Sequence, residues 1–189
     1  MDKETLVRHV LDFWFGAQDS AELGSRRDIW FDAPPAFDQE IRQRFLEANE
    51  LASKGALDAL KRTQMGTLAL IILLDQFSRN LFRGKAEAFA NDDRARELAD
   101  HALRQHFDRN VLTVQGLFFY LPFEHAEDLE TQRKSVSLFV SLGDAASLEH
   151  AICHRDQIVR FGRFPDRNKA LGRTNTKAEE AFLIKPFCS

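Results

Sequence analysis

Three charged side chains are spaced four residues apart directly after the most apolar run of the sequence. The run is LALIILL at residues 68–74, and the charged residues are Asp75, Arg79 and Arg83. Because positions four apart lie on one face of an α-helix, these side chains extend a face that points into the protein. Buried charges are costly unless they are paired and hydrogen-bonded. The spacing therefore predicts either internal ion pairs or a polar site that binds a ligand.

Two later segments could supply partners for this face. The first, YLPFEHAEDLE at residues 120–130, places Glu124 and Asp128 four apart beside His125, after a proline that should kink the helix or start a new one. The second is RFGRFPDRNKALGR at residues 160–173. We expect the 75–83 face to meet one of these segments. The expected ligand-binding residues are Asp75, Arg79, Asn80, Arg83, Glu124, His125, Arg160, Arg163, Arg167, Asn168 and Arg173.

Three functions fit these residues, and the sequence leaves all three open. The leading hypothesis is a binding protein whose arginines grip a small anionic molecule or an acidic peptide, since guanidinium groups bind carboxylate and phosphate in a bidentate manner. The second is an enzyme in which His125 works with Glu124 or Asp128 as an acid–base pair. The third is a structural or protein-interaction scaffold in which the same charges form a purely internal ion network.

Charge is distributed unevenly along the chain. The net charge of −3 provides no overall attraction to nucleic acid or to an anionic membrane. Residues 155–173 nevertheless hold six basic residues against two acidic ones. A basic patch in an acidic protein favours a small anion, or an acidic partner within the same chain, over a nucleic-acid backbone.

Other kinds of site have little support. The sequence contains no glycine-rich phosphate loop, nucleophile elbow or cysteine-rich metal motif, so we expect no cofactor. His150 and His154 have helical spacing but lack a third histidine nearby, and we expect no metal. Cys153 and Cys188 are too few for a disulfide framework, and no apolar run could span a membrane. We expect a cytoplasmic protein and draw no expectation of its oligomeric state.

Apolar residues recur with a helical period throughout the chain. The pattern predicts helices over residues 3–15, from Pro35 to near Gly55, over 56–61, from Thr63 through the opening motif, after Asn91, around 112–143, from Asp144 to about 161, and after Thr176. No segment shows the alternation of a half-buried strand. The sequence therefore predicts an all-α fold of about seven to nine helices without a sheet, in a single domain over residues 1–189.

Three long motifs in a fixed order carry a resemblance to a known family. They are LALIILLDQFSRNLFRG, FFYLPFEHAEDLETQ and RFGRFPDRNKALGR. Together they resemble a bacterial family of uncharacterised proteins, domain-of-unknown-function family 924, from VLDFWFG at residues 10–16 to EAFL at residues 180–183. The resemblance implies a tetratricopeptide-like helical fold, with which ELASKGALDAL at residues 50–60 agrees, and no established activity. The family pattern favours His where Asp166 stands, so we expect no proton-transfer role at that position.

Overall fold

The computed structural model describes residues 2–186, and within that range the chain forms helices and no strand. The α-helices are α1 Lys3–Phe15, α2 Pro35–Ser53, α3 Gln64–Ile71, α4 Phe77–Leu81, α5 Asp92–Arg104, α6 Thr113–Glu124, α7 Leu129–Leu142, α8 Ala145–Phe161 and α9 Lys177–Ile184. A π-helical segment, Ile72–Gln76, joins α3 directly to α4. The all-α prediction is confirmed.

Several helix ends lie where the sequence placed them. Gly16 ends α1 with a φ of +92°, a conformation that residues with a Cβ rarely adopt. Asp144 caps α8 by accepting a hydrogen bond from the Ser147 amide at 3.0 Å. Thr176 and Glu179 form the predicted capping box at the start of α9. These ends fix where each apolar face begins and stops.

Two local predictions were wrong, and one of the two alternatives predicted for Pro122 is excluded. The short helix expected over residues 56–61 is a 3-10 turn at Asp58–Arg62. Asn91 stands at the N-terminus of α5, but its side-chain amide donates to the Ser78 hydroxyl instead of capping the helix. Of the two alternatives for Pro122, a new helix at the proline is excluded, because α6 runs through Pro122 and ends two residues later at Glu124. The next helix, α7, begins after Asp128.

The segment that carries the polar motif is the most deeply buried part of the fold. Every residue from 66 to 78 is buried. Helix α3 packs against α1, α5 and α6, while α7 packs against both α6 and α8. Aromatic rings from other helices surround the segment, with Trp14 meeting Phe77 edge-on at 5.5 Å and Phe118 at 5.5 Å. The charged end of this run therefore lies inside the protein. The tetratricopeptide-like arrangement stays a prediction.

The N-terminal cap of α3 offers a local test of this architecture. Thr63 Oγ1 accepts a hydrogen bond from the Gly66 amide at 3.1 Å. We expect Thr63→Ala to lower the free energy of unfolding by about 1 kcal/mol, the usual cost of losing a cap. Ser137→Ala is the control, because this exposed hydroxyl bonds only the carbonyl of Arg133 in its own helix. Urea denaturation that finds equal losses for the two variants would contradict the capping role.

Candidate functional site

Asp75 lies in the π-helical segment and is completely buried. Its Oδ1 is 2.7 Å from His125 Nδ1 and 3.0 Å from Arg79 Nη1, and Gln76 donates to its Oδ2. Burial alone would raise the pKa of Asp75, but Arg79 and His125 outweigh it and hold that pKa well below its usual range. Asp75 is therefore an ionised carboxylate inside the protein. Single π-turns within α-helices are frequent at functional sites.

A second carboxylate, Asp92, joins two arginines from distant parts of the chain. Arg79 donates to both of its oxygens, at 3.0 and 3.1 Å, and Arg167 donates to Oδ2 at 3.2 Å. The Arg167 guanidinium also lies over the rings of Phe89 and Phe164, at 4.7 and 4.5 Å from their centroids. The expected meeting of the polar face with the 160–173 segment thus takes place through Asp92.

Arg83 does not share this site, which corrects the predicted three-residue face. Helix α4 ends at Leu81, so the chain has left the helix before Arg83. Arg83 instead donates to both oxygens of Asp38, at 2.8 and 2.9 Å, and its side chain is 58% exposed. Asn80 donates to the same carboxylate at 2.7 Å. These residues form a separate surface cluster.

Glu124 and Asp128, predicted to lie four apart on one helix, belong to two different helices. Glu124 is the last residue of α6, while Asp128 caps α7 by accepting from the Thr131 amide at 2.8 Å. Glu124 and Asp128 therefore do not share a helix face. His125 stands at the C-terminal cap of α6, and its carboxylate partner is Asp75. The predicted contact between the 75–79 face and the 124–128 segment exists, but only through His125.

Three arginines of the 160–173 segment, Arg163, Arg167 and Arg173, have carboxylate partners within the chain. Arg163 donates to both oxygens of Glu179, at 2.6 and 2.9 Å, and Arg173 does the same to Glu127, at 2.6 and 2.9 Å. Asn168 accepts from Arg173 Nε at 2.8 Å. Arg160 lies over the ring of Phe161 at 5.1 Å. The local basic excess is thus matched by acidic residues from elsewhere in the sequence.

A cavity of about 230 Å³ opens beside the Asp75–His125 pair. Its wall combines apolar side chains with polar ones, and the lining residues are Arg26, Phe31, Leu117, Leu121, Glu124, His125, Ser147, His150 and His154. Ligand sites commonly have this composition, an apolar lining with a few convergent polar groups. Glu124 and His125 are the two predicted site residues that reach it.

Glu124 and His154 form the second polar pair of the cavity. Glu124 Oε1 is 3.1 Å from His154 Nδ1, and that nitrogen is also 2.9 Å from the carbonyl of His150. Burial, with the charge of Asp75 nearby, raises the pKa of Glu124 to about 8. Burial lowers the pKa of His154 to about 4. Both groups are therefore neutral at pH 7.

Each of the two cavity-lining side chains Glu124 and His125 keeps one polar atom without a partner in the described part of the chain. Glu124 Oε2 and His125 Nε2 have no hydrogen-bond partner among residues 2–186, and neither atom is completely enclosed. Burial lowers the pKa of His125, and Arg79 lowers it further against the opposing effect of Asp75. The cavity thus presents a neutral carboxylic acid beside a neutral imidazole.

Two kinds of feature are missing from the part of the chain that the structure describes. No three His, Cys, Asp or Glu side chains of residues 2–186 are grouped so that they could hold a metal ion, so His150 and His154 do not form the core of such a group. None of the helices in that range combines the length and apolarity that crossing a membrane would require. Cys188 lies outside the described residues.

Sequence reasoning missed three kinds of site residue. Asp92 directly follows the predicted helix start at Asn91 and carried no site prediction, although the run Asn91-Asp92-Asp93 holds more capping side chains than one helix start needs. His154 was considered only for a metal. The cavity lining Phe31, Leu117 and Leu121 carries no local signal, because apolar residues on a helix face look the same whether they border a cavity or a neighbouring side chain. Asp166 is exposed and borders a different surface cavity.

A family model described as "Bacterial protein of unknown function (DUF924)" matches residues 10–186. The chain belongs to this family. A solved structure titled "Structure of Protein of Unknown Function ATU0120 from Agrobacterium tumefaciens" is 41% identical, with a TM-score of 0.87 over 96% of this chain and 98% of the other. No curated protein matches significantly. Membership of DUF924 therefore confirms the resemblance and the helical fold.

Proposed function

We propose that this DUF924 protein binds a small organic acid in the cavity beside Asp75 and His125. The observation that carries the proposal is that Glu124 and His125 both line the cavity and that each has one polar atom, Oε2 and Nε2 respectively, without a partner among residues 2–186. Buried polar groups are normally hydrogen-bonded, so such atoms favour a ligand that completes their bonds. Glu124 would donate to the ligand and His125 would accept from it.

The rest of the lining specifies the kind of ligand. Leu117 and Leu121 are 5% and 4% exposed and offer an apolar surface for the body of the molecule. Arg26 lies over the Phe31 ring at 4.9 Å and is only loosely paired, with Asp144 at 3.7 Å. A carboxylate on the ligand could therefore bind Arg26. At about 230 Å³ the cavity is smaller than the roughly 300–1,000 Å³ of drug-sized sites, so the ligand should be small.

The arginines favoured by sequence analysis support a different role. Arg79, Arg163 and Arg167 each donate to a carboxylate of the chain, which favours the internal ion network for this cluster. An anion that bound them would have to displace these partners. We therefore assign the anionic end of the ligand to Arg26 and the stabilising role to the buried pairs.

Filling the cavity tests this proposal. Leu121→Phe adds volume inside the lining, and we expect it to weaken binding of small carboxylic acids at least tenfold because the ligand and the ring would occupy the same space. Arg26→Gln should weaken binding of the same acids, because it removes the positive charge that pairs with their carboxylate. Affinities would be measured by calorimetry across a panel of mono- and dicarboxylic acids, with phosphorylated metabolites for comparison.

Met65→Phe is the matched control. Met65 lines a separate cavity of about 440 Å³ beside α1, so the same kind of enlargement there should leave acid binding unchanged. Equal loss in both variants would indicate a general effect on stability. Wild-type protein that binds no member of the panel would contradict the proposal.

A further inference from the structure

We propose that the same cavity catalyses proton transfer at carbon, with His125 as general base and Glu124 as general acid acting on a small carbonyl compound. The inference rests on the proposed function, because the substrate must occupy the binding cavity. It goes further by assigning a reaction to two side chains that the binding proposal uses only as hydrogen-bond partners.

The base is formed by the contact between α6 and the π-helical segment. Asp75 Oδ1 is 2.7 Å from His125 Nδ1, and a carboxylate at that nitrogen fixes the tautomer in which Nδ1 carries the proton. The lone pair then lies on Nε2, the ring nitrogen without a partner among the described residues. Arg79 and Gln76 hold the carboxylate in turn, at 3.0 Å from Arg79 Nη1. Asp75 is thus a positioning residue for the imidazole.

The general acid is Glu124, the residue before His125, and its surroundings contain no ion-pair partner like the one that His125 has in Asp75. Glu124 is 4% exposed, and its only contact with a basic group in residues 2–186 is His154 Nδ1 at 3.1 Å. That nitrogen also lies 2.9 Å from the His150 carbonyl, so the His154 ring is a neutral donor there. Without a cation to stabilise its charged form, the Glu124 carboxyl group keeps its proton at neutral pH. An acid–base pair usually consists of two titratable groups whose surroundings leave one of them protonated and the other unprotonated at the same pH.

The reaction balances without any further reactant. His125 Nε2 takes a proton from the carbon next to a carbonyl group, and the C–H electron pair becomes a carbon–carbon double bond. The carbonyl π electrons move to oxygen, which receives the proton of Glu124 Oε2. The product is an enol, with imidazolium at His125 beside the Asp75 carboxylate and a carboxylate at Glu124. Reversal returns a proton to carbon, and exchange of the imidazolium proton with solvent makes the event observable.

Hydrogen–deuterium exchange provides the test. The probes are 2-oxobutanoate, 4-oxopentanoate and 2-pentanone in D₂O, with loss of the α-proton signal followed by NMR and occupancy followed by saturation transfer. We expect wild-type protein to accelerate exchange of at least one bound probe by about 10²-fold or more over buffer. His125→Gln should reduce this to the buffer rate. Glu124→Gln should retain binding and lose at least tenfold in exchange, because an amide donates a hydrogen bond but transfers no proton.

His101→Gln is the control, since His101 bonds the Lys61 carbonyl at 2.9 Å and lies outside this cavity. The His101→Gln variant should accelerate α-proton exchange of the probes as much as the wild type does. A probe that occupies the cavity while its α-protons exchange at the buffer rate overturns the acid–base inference and leaves the binding proposal standing. If no probe binds and none exchanges, both proposals fail. Exchange that survives in His125→Gln also overturns the assignment of the base.

Discussion

Replacing Arg79 by Ala is expected to lower the free energy of unfolding by about 3–5 kcal/mol, the range measured when one partner of a buried ion pair is removed. Asp75 would lose the guanidinium at 3.0 Å, and Asp92 would lose two hydrogen bonds. Asp75 is completely buried, so water cannot replace the missing charge. Arg79 itself retains 21% exposure, which places the expected loss toward the lower end of the range. Urea denaturation measures it.

Arg83→Ala is the matched control for this measurement. It removes a guanidinium four residues away that also makes a bidentate pair, but at 58% exposure. Exposed pairs contribute at most about 1 kcal/mol, so this variant should remain close to wild type. If Arg79→Ala loses less than about 1 kcal/mol, the Asp75 cluster is hydrated and the picture of a buried network is wrong.

Stability should also fall as pH rises from 6.5 to about 8, because of Glu124. The unfolded carboxyl ionises near 4.5, whereas the folded one keeps its proton up to a pKa of about 8. Folding therefore binds a proton between these values, and raising the pH penalises the folded state by about 1.4 kcal/mol for each pH unit. Over this window we expect a loss of about 2 kcal/mol. The curve should flatten above the folded pKa.

The pKa values of the groups near Glu124 define the pH range of this test and its control variant. Burial lowers the pKa values of His125 and His154, so these rings add stability as pH rises only up to about 6.5, the unfolded pKa of histidine. Asp75 stays ionised throughout, because its pKa is held well below its usual range. Glu124→Gln removes the group whose pKa is raised to about 8 by folding and should give a flat profile there. A decline of the same size in Glu124→Gln would assign the pH dependence to another group.

The fold could be predicted from sequence because its signals are local. Gly16, Asp144 and the Thr176–Glu179 box each act within one turn of a helix, and the structure retains them. Pro122 left two alternatives open, a kink or a new helix, because a proline acts on the turn that precedes it. The structure excludes a new helix there, since α6 runs through Pro122 to Glu124.

The site was predicted only in part, because its contacts join distant segments. The opening motif and the 124–128 segment were correctly expected to meet, but the partner of His125 is Asp75, 50 residues away, and neither adjacent acid. Asp92 connects Arg79, 13 residues before it, to Arg167, 75 residues after it. Charge counting indicated that the basic segment needed acidic partners, but it could not distinguish an external anion from Asp92, Glu127 and Glu179.

The π-helical segment makes the position of Asp75 depend on chain length as well as on residue type. A π-turn contains one residue more than the regular α-helix around it, which is how such turns arise by insertion. Deleting one residue between 72 and 74 would remove the extra residue that the wide turn accommodates, so α3 and α4 would join as a continuous α-helix and keep the faces they present now. The change in side-chain direction would be confined to the turn itself, where Asp75 lies. A DUF924 relative with a single-residue gap here would keep the packing of α3 and α4 and differ at the carboxylate that orients the imidazole.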